Sequence, residues 1–187
     1  MKITEGKRPI LFEVYKFIAK GLFELSKKKH VFVHLFLILN WNLMKRSENC
    51  VNMKVAHIRF HEDALVFEFA KSKVMQGGED HVGPWYVYAN LLNPFICPLL
   101  ALARYFLTFP KTLKMNAAVF QGMSQCNSYS SAFLKFVAEH KVELQKLGVQ
   151  HGDLGTHSFS FFFFWSGLQG PKAYSLWGGV VPSLSTT

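Results

Sequence analysis

The segment from Val31 to Met44 constrains the fold of this chain most, because it is apolar on nearly every side. A helix without a polar face has to be surrounded by other elements, so we expect a central buried helix here. The chain can supply those elements, since 50% of its 187 residues are hydrophobic. Beyond this helix the chain continues into Lys45 and Arg46, which we expect at the edge of the core.

The patterns on either side predict an α+β domain that is mostly helical. Helical spacing of apolar residues follows Pro9, which suits the first position of a helix. Val51–Phe60 and Ala64–Phe69 predict strands joined by a polar turn, and Trp85–Tyr88 predicts a third strand of a small antiparallel sheet. Two more helices are predicted, over residues 94–109 and 127–147.

Three parts are expected along the chain. Residues 1–8 form a basic N-terminal tail, residues 9–167 form one domain, and residues 168–187 form a tail rich in Gly, Pro and Ser. No repeat is visible in the sequence. A single core is therefore expected, built around the buried helix.

The chain is basic, with 21 Lys and Arg against 12 Asp and Glu and a formal net charge of +9. Such a surface favours polyanions, nucleic acid first and anionic membrane second, although a basic protein without a polyanion partner is an open alternative. Part of the charge is the run Lys27–Lys29. We place it at the C-terminal end of the first helix, where it complements the helix dipole, with phosphate contact as the alternative.

Several classes of protein do not fit the sequence. Cys50, Cys97 and Cys126 form no CxxC pair, which favours a reducing compartment over a disulfide framework or a zinc ribbon. The N-terminus lacks the pattern of a secretory signal, and the longest apolar runs are too short to span a bilayer. We therefore expect an intracellular, soluble protein without a membrane partner.

Metal and nucleotide sites are also not expected. His57 and His61 are four residues apart, but they fall in a strand and turn, where that spacing does not place them on one face of a helix, and no third ligand is near. The sequence contains no P-loop, no dinucleotide-binding glycine pattern and no hydrolase motif. We expect no metal, no cofactor and no small-molecule substrate.

The remaining candidates are cationic groups suited to a phosphodiester: Arg46, Lys71 or Lys73, and His157. A guanidinium can hold two phosphate oxygens at once. A lysine or an imidazole can donate a proton as the phosphate is transferred. Each group also has a structural interpretation, since Arg46 can cap the preceding helix and the lysines can belong to a solvated hairpin.

A family resemblance supports the first interpretation. Residues 7–110 resemble the catalytic domain of Crypton-type tyrosine recombinases, and the matching words occur in the same order along the chain. These recombinases are DNA-transposon relatives of phage integrases. The resemblance resumes at residues 151–158. The fold it implies is the integrase-like catalytic domain. The matching words are Lys7–Pro9, His34–Leu37, Trp41–Ser47, His57–Val66, Lys71–Glu79, Tyr88–Asn90, Asn93–Ala103 and His151–Ser158.

The resemblance implies roles for particular residues. Arg46 corresponds to the first catalytic arginine, Lys73 to the hairpin lysine with Lys71 as the alternative, and His157 to the histidine of a His-x-x-Arg motif. In the family a tyrosine attacks the DNA phosphate, without a metal or nucleotide cofactor. The implied partner is double-stranded DNA, bound in the nucleus by a homo-oligomer. We add further DNA contacts at Lys45, Lys71 and Arg59.

Two departures from the family pattern affect catalysis. Ser160 occupies the position of the second arginine, and a neutral hydroxyl cannot replace a charged bidentate fork. Tyr174 comes too early for the nucleophile, so we interpret the chain as degenerate and C-terminally truncated. We expect a domain that binds DNA and does not cut it. The alternatives are an active recombinase using a tyrosine in trans, and a protein-interaction module that uses Phe159–Trp165.

Overall fold

A computed structural model of the chain describes residues 10–43, 50–68, 84–150, 152–154 and 180–182. These residues form an α+β structure that is mostly helical, which confirms the predicted fold class. No helix in these ranges is long and apolar enough to cross a membrane. The elements are α1 (Phe12–Glu24), α2 (Lys28–Leu43), β1 (Ile58–His61), β2 (Ala64–Phe67), β3 (Trp85–Tyr88), α3 (Pro98–Thr108), α4 (Gln125–Glu139), α5 (Lys141–Lys146) and β4 (Val180–Pro182).

The central helix is α2, as predicted. Every residue from Val33 to Leu43 is buried, and α1, α3, α4 and β3 pack around the helix. The three polar side chains in this stretch each have a hydrogen-bond partner, as burial requires. Asn40 and Asn42 donate to carbonyl oxygens one turn earlier, at 2.7 and 2.8 Å. His34 donates from Nε2 to the carbonyl oxygen of Phe95, at 2.8 Å.

The position of the lysine run is a correction to the sequence analysis. Leu25 is extended, with φ −87° and ψ 124°, so α1 ends at Glu24. Lys27 precedes the next helix, and Lys28 and Lys29 are its first two residues. The lysines therefore lie at the N-terminal end of α2 and not at the C-terminal end of α1. The lysines lie there because the chain turns between Glu24 and Lys28, which allows α2 to pack against α1.

The sheet is antiparallel, with strand order β1-β2-β3-β4. β3 has the predicted bounds, and a turn with Glu62 at φ 55° joins β1 to β2. β1 is shorter than the predicted strand, because Val55–His57 form a 3-10 turn. There the backbone N–H groups of Val55 and Ala56 donate to residues 117 and 115, at 3.0 and 2.9 Å. Hydrogen bonds to residues 115 and 117, which are distant in sequence, thus replace the strand pairing that the alternation of apolar residues predicts at this point.

β4 adds a fourth strand to the predicted three. Its residues Val180, Val181 and Pro182 pair with Val87, Tyr86 and Trp85. These residues belong to the segment that the sequence analysis assigns to a C-terminal tail. Pro182 fits this position, because proline in a sheet is confined to edge strands and bulges, where its missing N–H is not needed.

The predicted helix over residues 127–147 is two helices. α4 ends at Glu139, and His140 has non-helical angles, φ −112° and ψ 29°, before α5 begins at Lys141. The His140 imidazole donates from Nδ1 to the carbonyl oxygen of Phe136, at 2.9 Å, and its ring stacks on that of Phe136. The hydrogen bond from the His140 side chain to the last turn of α4 favours a break at this position. The pattern of apolar residues continues across the break, which is why the sequence predicts one helix.

Candidate nucleic-acid interface

Only one of the predicted site residues lies in the described part of the chain. Arg59 is on β1. The other five fall outside the described residues, so the predicted catalytic set is not seen together here. They are Lys45, Arg46, Lys71, Lys73 and His157.

The last turn of α2, which precedes Arg46 in the chain, is well packed. The last turn of α2 carries Trp41, which is 8% exposed. Its indole stacks on the ring of Tyr15 from α1, with centroids 4.1 Å apart and an angle of 6°. The buried amide of Asn42 is tied to the helix backbone. The chain therefore leaves α2 at Leu43 from a fixed position, three residues before Arg46.

The segment that contains Lys71 and Lys73 connects two strand ends that lie at one end of the sheet. Ile58 pairs with Phe67, and Phe67 pairs with Trp85. The connection from β2 to β3, which contains Lys71 and Lys73, therefore begins and ends at this same end of the sheet. β2 and β3 are antiparallel neighbours, so this connection joins the two strands of a hairpin, as the sequence predicts.

Arg59 lies one residue from that end of the sheet. It is exposed and forms an ion pair with Glu68, the residue that follows β2. Glu68 precedes Lys71 by three residues in the sequence. A phosphate that binds Arg59 would have to compete with the Glu68 carboxylate, and exposed pairs of this kind are weak enough for such an exchange.

Arg59 shares its sheet face with histidine and tyrosine side chains. Strand pairing places Arg59 opposite Val66, and Val66 opposite Tyr86. His61, Ala64 and Tyr88 form a second row in the same way, and both rows lie on one face of the sheet. The opposite face joins the main core through Leu65, Phe67 and Val87. We call the face that carries the four polar side chains Arg59, His61, Tyr86 and Tyr88 the second sheet face.

Four side chains of the second sheet face are of types that can contact nucleic acids, and they lie around Ala64 and Val66, which are buried on the same face. Arg59 and His61 are exposed, and Tyr86 and Tyr88 are partly exposed. The rings of His61 and Tyr86 meet edge to face, with centroids 6.0 Å apart. Guanidinium groups contact phosphates, and partly exposed aromatic rings can pack against sugars and bases. The sequence analysis considered His61 only as a metal ligand and did not single out the tyrosines.

Phosphate contact by Lys27–Lys29 is an alternative that the sequence offers, but the basic cleft formed around Lys27 and Lys29 at the other end of α2 is not foreseen from the sequence. The cleft has a volume of about 370 Å³ and lies between the N-terminal end of α2 and the C-terminal half of α4. The signal that could have found it is the run of lysines without an acidic neighbour, but the facing residues on α4 are more than 100 positions away. Its polar lining consists of Lys27, Lys29, His30, Lys135, Glu139 and His140.

No metal site emerges from the described residues, which contain no group of three or more His, Cys, Asp or Glu side chains placed to hold an ion. Comparison with protein-family models gives no match, and a search of curated proteins gives no match either. The site therefore has to be interpreted from its own geometry and from the sequence.

Proposed function

We propose that this protein is a DNA-binding domain of the tyrosine-recombinase type that holds duplex DNA without cutting it. The observation that carries the proposal is the position of Arg59 at the sheet end from which the segment with Lys71 and Lys73 departs. The formal charge of +9 supports a polyanionic partner.

The absence of cleavage is proposed from Ser160. The resemblance implies an arginine at this position, and loss of one charged transition-state donor costs about 10²–10³ in rate. The buried end of α2 and the sheet end then serve to position a phosphate, with Arg46 and Lys73 as the proposed contacts. DNA would be bound in the nucleus, by more than one copy of the chain.

Binding is tested with a labelled duplex by fluorescence anisotropy over a salt series. The logarithm of the association constant is expected to fall linearly with the logarithm of salt concentration, with a slope of about −0.9 for each phosphate contact. Lys71→Gln with Lys73→Gln should make the slope less steep by about 2. The matched control, Lys111→Gln with Lys114→Gln, removes the same charge from exposed positions and should change the slope less.

The Arg59–Glu68 pair gives a sharper version of the same test. Glu68→Gln frees the Arg59 guanidinium and is expected to strengthen DNA binding severalfold, whereas Arg59→Gln should weaken it. Glu13→Gln adds the same net charge at an exposed pair on α1 and serves as the control. If the wild-type protein does not bind duplex DNA even at low salt, the proposal is wrong. A covalent adduct with a nicked duplex would refute the absence of cleavage.

A further inference from the structure

The basic cleft gathers positive charge from two helices that are distant in sequence. Lys27, Lys29 and His30 come from the turn before α2 and from its first residues. Lys135 and His140 come from α4 and the residue that follows it. Among the described residues of the lining, Glu139 is the one acidic side chain, so three lysines face a single carboxylate there.

This arrangement is unfavourable for the protein alone. The N-terminal end of a helix carries a partial positive charge, which favours acidic residues in the first turn. α2 has no acidic residue in its first turn and begins with Lys28 and Lys29 instead. Glu139 and the C-terminal end of α4 offset part of the charge, but Glu139 already lies 3.8 Å from Lys135. An anion in the cleft would relieve the remaining repulsion.

His30 is placed where burial and nearby positive charge act together. Its Nδ1 atom is buried and has no hydrogen-bond partner in the part of the chain that the structure describes. Burial lowers the pKa of His30, and Lys27 and Lys29 lower it further. In the tautomer that carries its proton at Nδ1, His30 offers a donor to an oxyanion in the cleft.

His140 completes the polar lining with a fixed orientation. Its Nδ1 donates to Phe136, and its ring lies against the Phe136 ring with centroids 4.1 Å apart. Phe136 itself is 2% exposed, so this wall of the cleft is rigid. The lysines are exposed and can adjust their ammonium groups to a ligand.

We propose that this cleft is a phosphate-binding site, separate from the proposed DNA contact beyond the other end of α2. Three ammonium groups suit the two or more charges of a phosphate, and the volume of about 370 Å³ leaves space for the group that carries it. α2 separates the cleft from Leu43 by about 22 Å, at 1.5 Å per residue. The phosphate can come from a free phosphate compound or from a nucleic-acid backbone, which share this chemistry.

The test uses inorganic pyrophosphate as the probe and imidazole NMR signals of ¹⁵N-histidine-labelled protein as the readout. At low salt, pyrophosphate is expected to shift the His30 signals in a saturable way. The signals are assigned with His30→Gln. Lys27→Gln with Lys135→Gln should weaken the binding about tenfold or more, since two charge-assisted contacts to the anion are lost. Lys111→Gln with Lys114→Gln should leave it unchanged.

The source of the phosphate is decided by repeating the titration with duplex DNA. A shift of the His30 signals with both probes supports a site that accepts the nucleic-acid backbone, and a shift with pyrophosphate alone supports a site for a free phosphate compound. Absence of a shift with either probe overturns the proposal, as does an equal loss of affinity in the control variant. Circular dichroism of each variant verifies the fold. Failure here leaves the Arg59 and Lys71/Lys73 test unaffected, so the two proposals fail separately.

Discussion

At the scale of single residues, the buried His34 is the most informative titratable group. Its side chain is 1% exposed, and its Nε2 donates to the Phe95 carbonyl oxygen. Burial lowers the pKa of His34 from 6.5 to about 4; the Phe95 bond opposes this shift and Arg104 adds to it. His34 is therefore neutral in the folded protein at pH 7, where it serves as a hydrogen-bond donor between α2 and the segment before α3.

This lowered pKa predicts a loss of stability in acid. Between pH 6.5 and 4 the unfolded chain binds a proton at His34 that the folded protein does not, so stability falls as the pH falls. Between pH 7 and 5 the contribution of His34 to the free energy of unfolding should fall by about 2 kcal/mol. The measurement is urea unfolding at both pH values.

The matched variant is His34→Gln, whose amide can donate to the same carbonyl but does not titrate. It should lose about 2 kcal/mol less than the wild type on acidification. His61→Gln, which removes an exposed imidazole from the sheet, is the control. Equal acid dependence in the wild type and His34→Gln would show that His34 is not the group responsible.

At the scale of elements, α1 and α4 meet at Gly21. A Cβ atom at this position would lie 2.5 Å from Cζ of Phe136. The Phe136 ring is buried and stacked on His140, so it has little space in which to move. Glycine is thus required by the close approach of two helices, although alanine is the better helix former by about 1 kcal/mol.

Gly21→Ala is therefore expected to destabilise the protein, by about 1–3 kcal/mol for overpacking, less the gain in helix propensity. The measurement is the free energy of unfolding in urea. In the background of Phe136→Leu, where the ring is removed, the same Gly21→Ala change should become neutral or stabilising. Stabilisation by Gly21→Ala in the wild-type background would show that the two helices do not approach as described.

At the scale of the whole molecule, the sheet joins parts of the chain that are far apart. β4 pairs with β3, although more than 90 residues separate them. β3 also contacts α2 and α3, so the pairing ties residues 180–182 to the central helix. A chain that ends at Gly179 would leave the N–H and C=O groups of β3 that face β4 without strand partners.

We expect the amides of residues 85–88 to exchange faster with solvent in a chain ending at Gly179 than in one ending at Pro182. The two chains differ only in the three residues of β4, so the second is the matched control. Hydrogen exchange measured by mass spectrometry on a peptide covering β3 gives the comparison. Equal protection in both chains would mean that β4 does not stabilise the sheet.

The predictions that succeeded depend on local pattern. The all-round apolar character of residues 31–44 is sufficient to predict a buried central helix, because a segment this short cannot span a bilayer and has to be surrounded by protein. The bounds of β3 follow in the same way from local strand signals. The end of α3 at Thr108, two residues before Pro110, follows from proline geometry. The cationic interface, with Arg59 and the lysines that follow Glu68, stays a prediction.

Contacts between distant residues decided the rest. The 3-10 turn at Val55–His57 exists because residues 115 and 117 accept its hydrogen bonds, and no local pattern indicates them. The lysines beside α2 form a cleft only because α4 packs across from them. Local sequence fixes which segments become helices and strands, since propensity and periodicity act over a few residues. The sites that those segments share depend on packing between residues far apart in the chain.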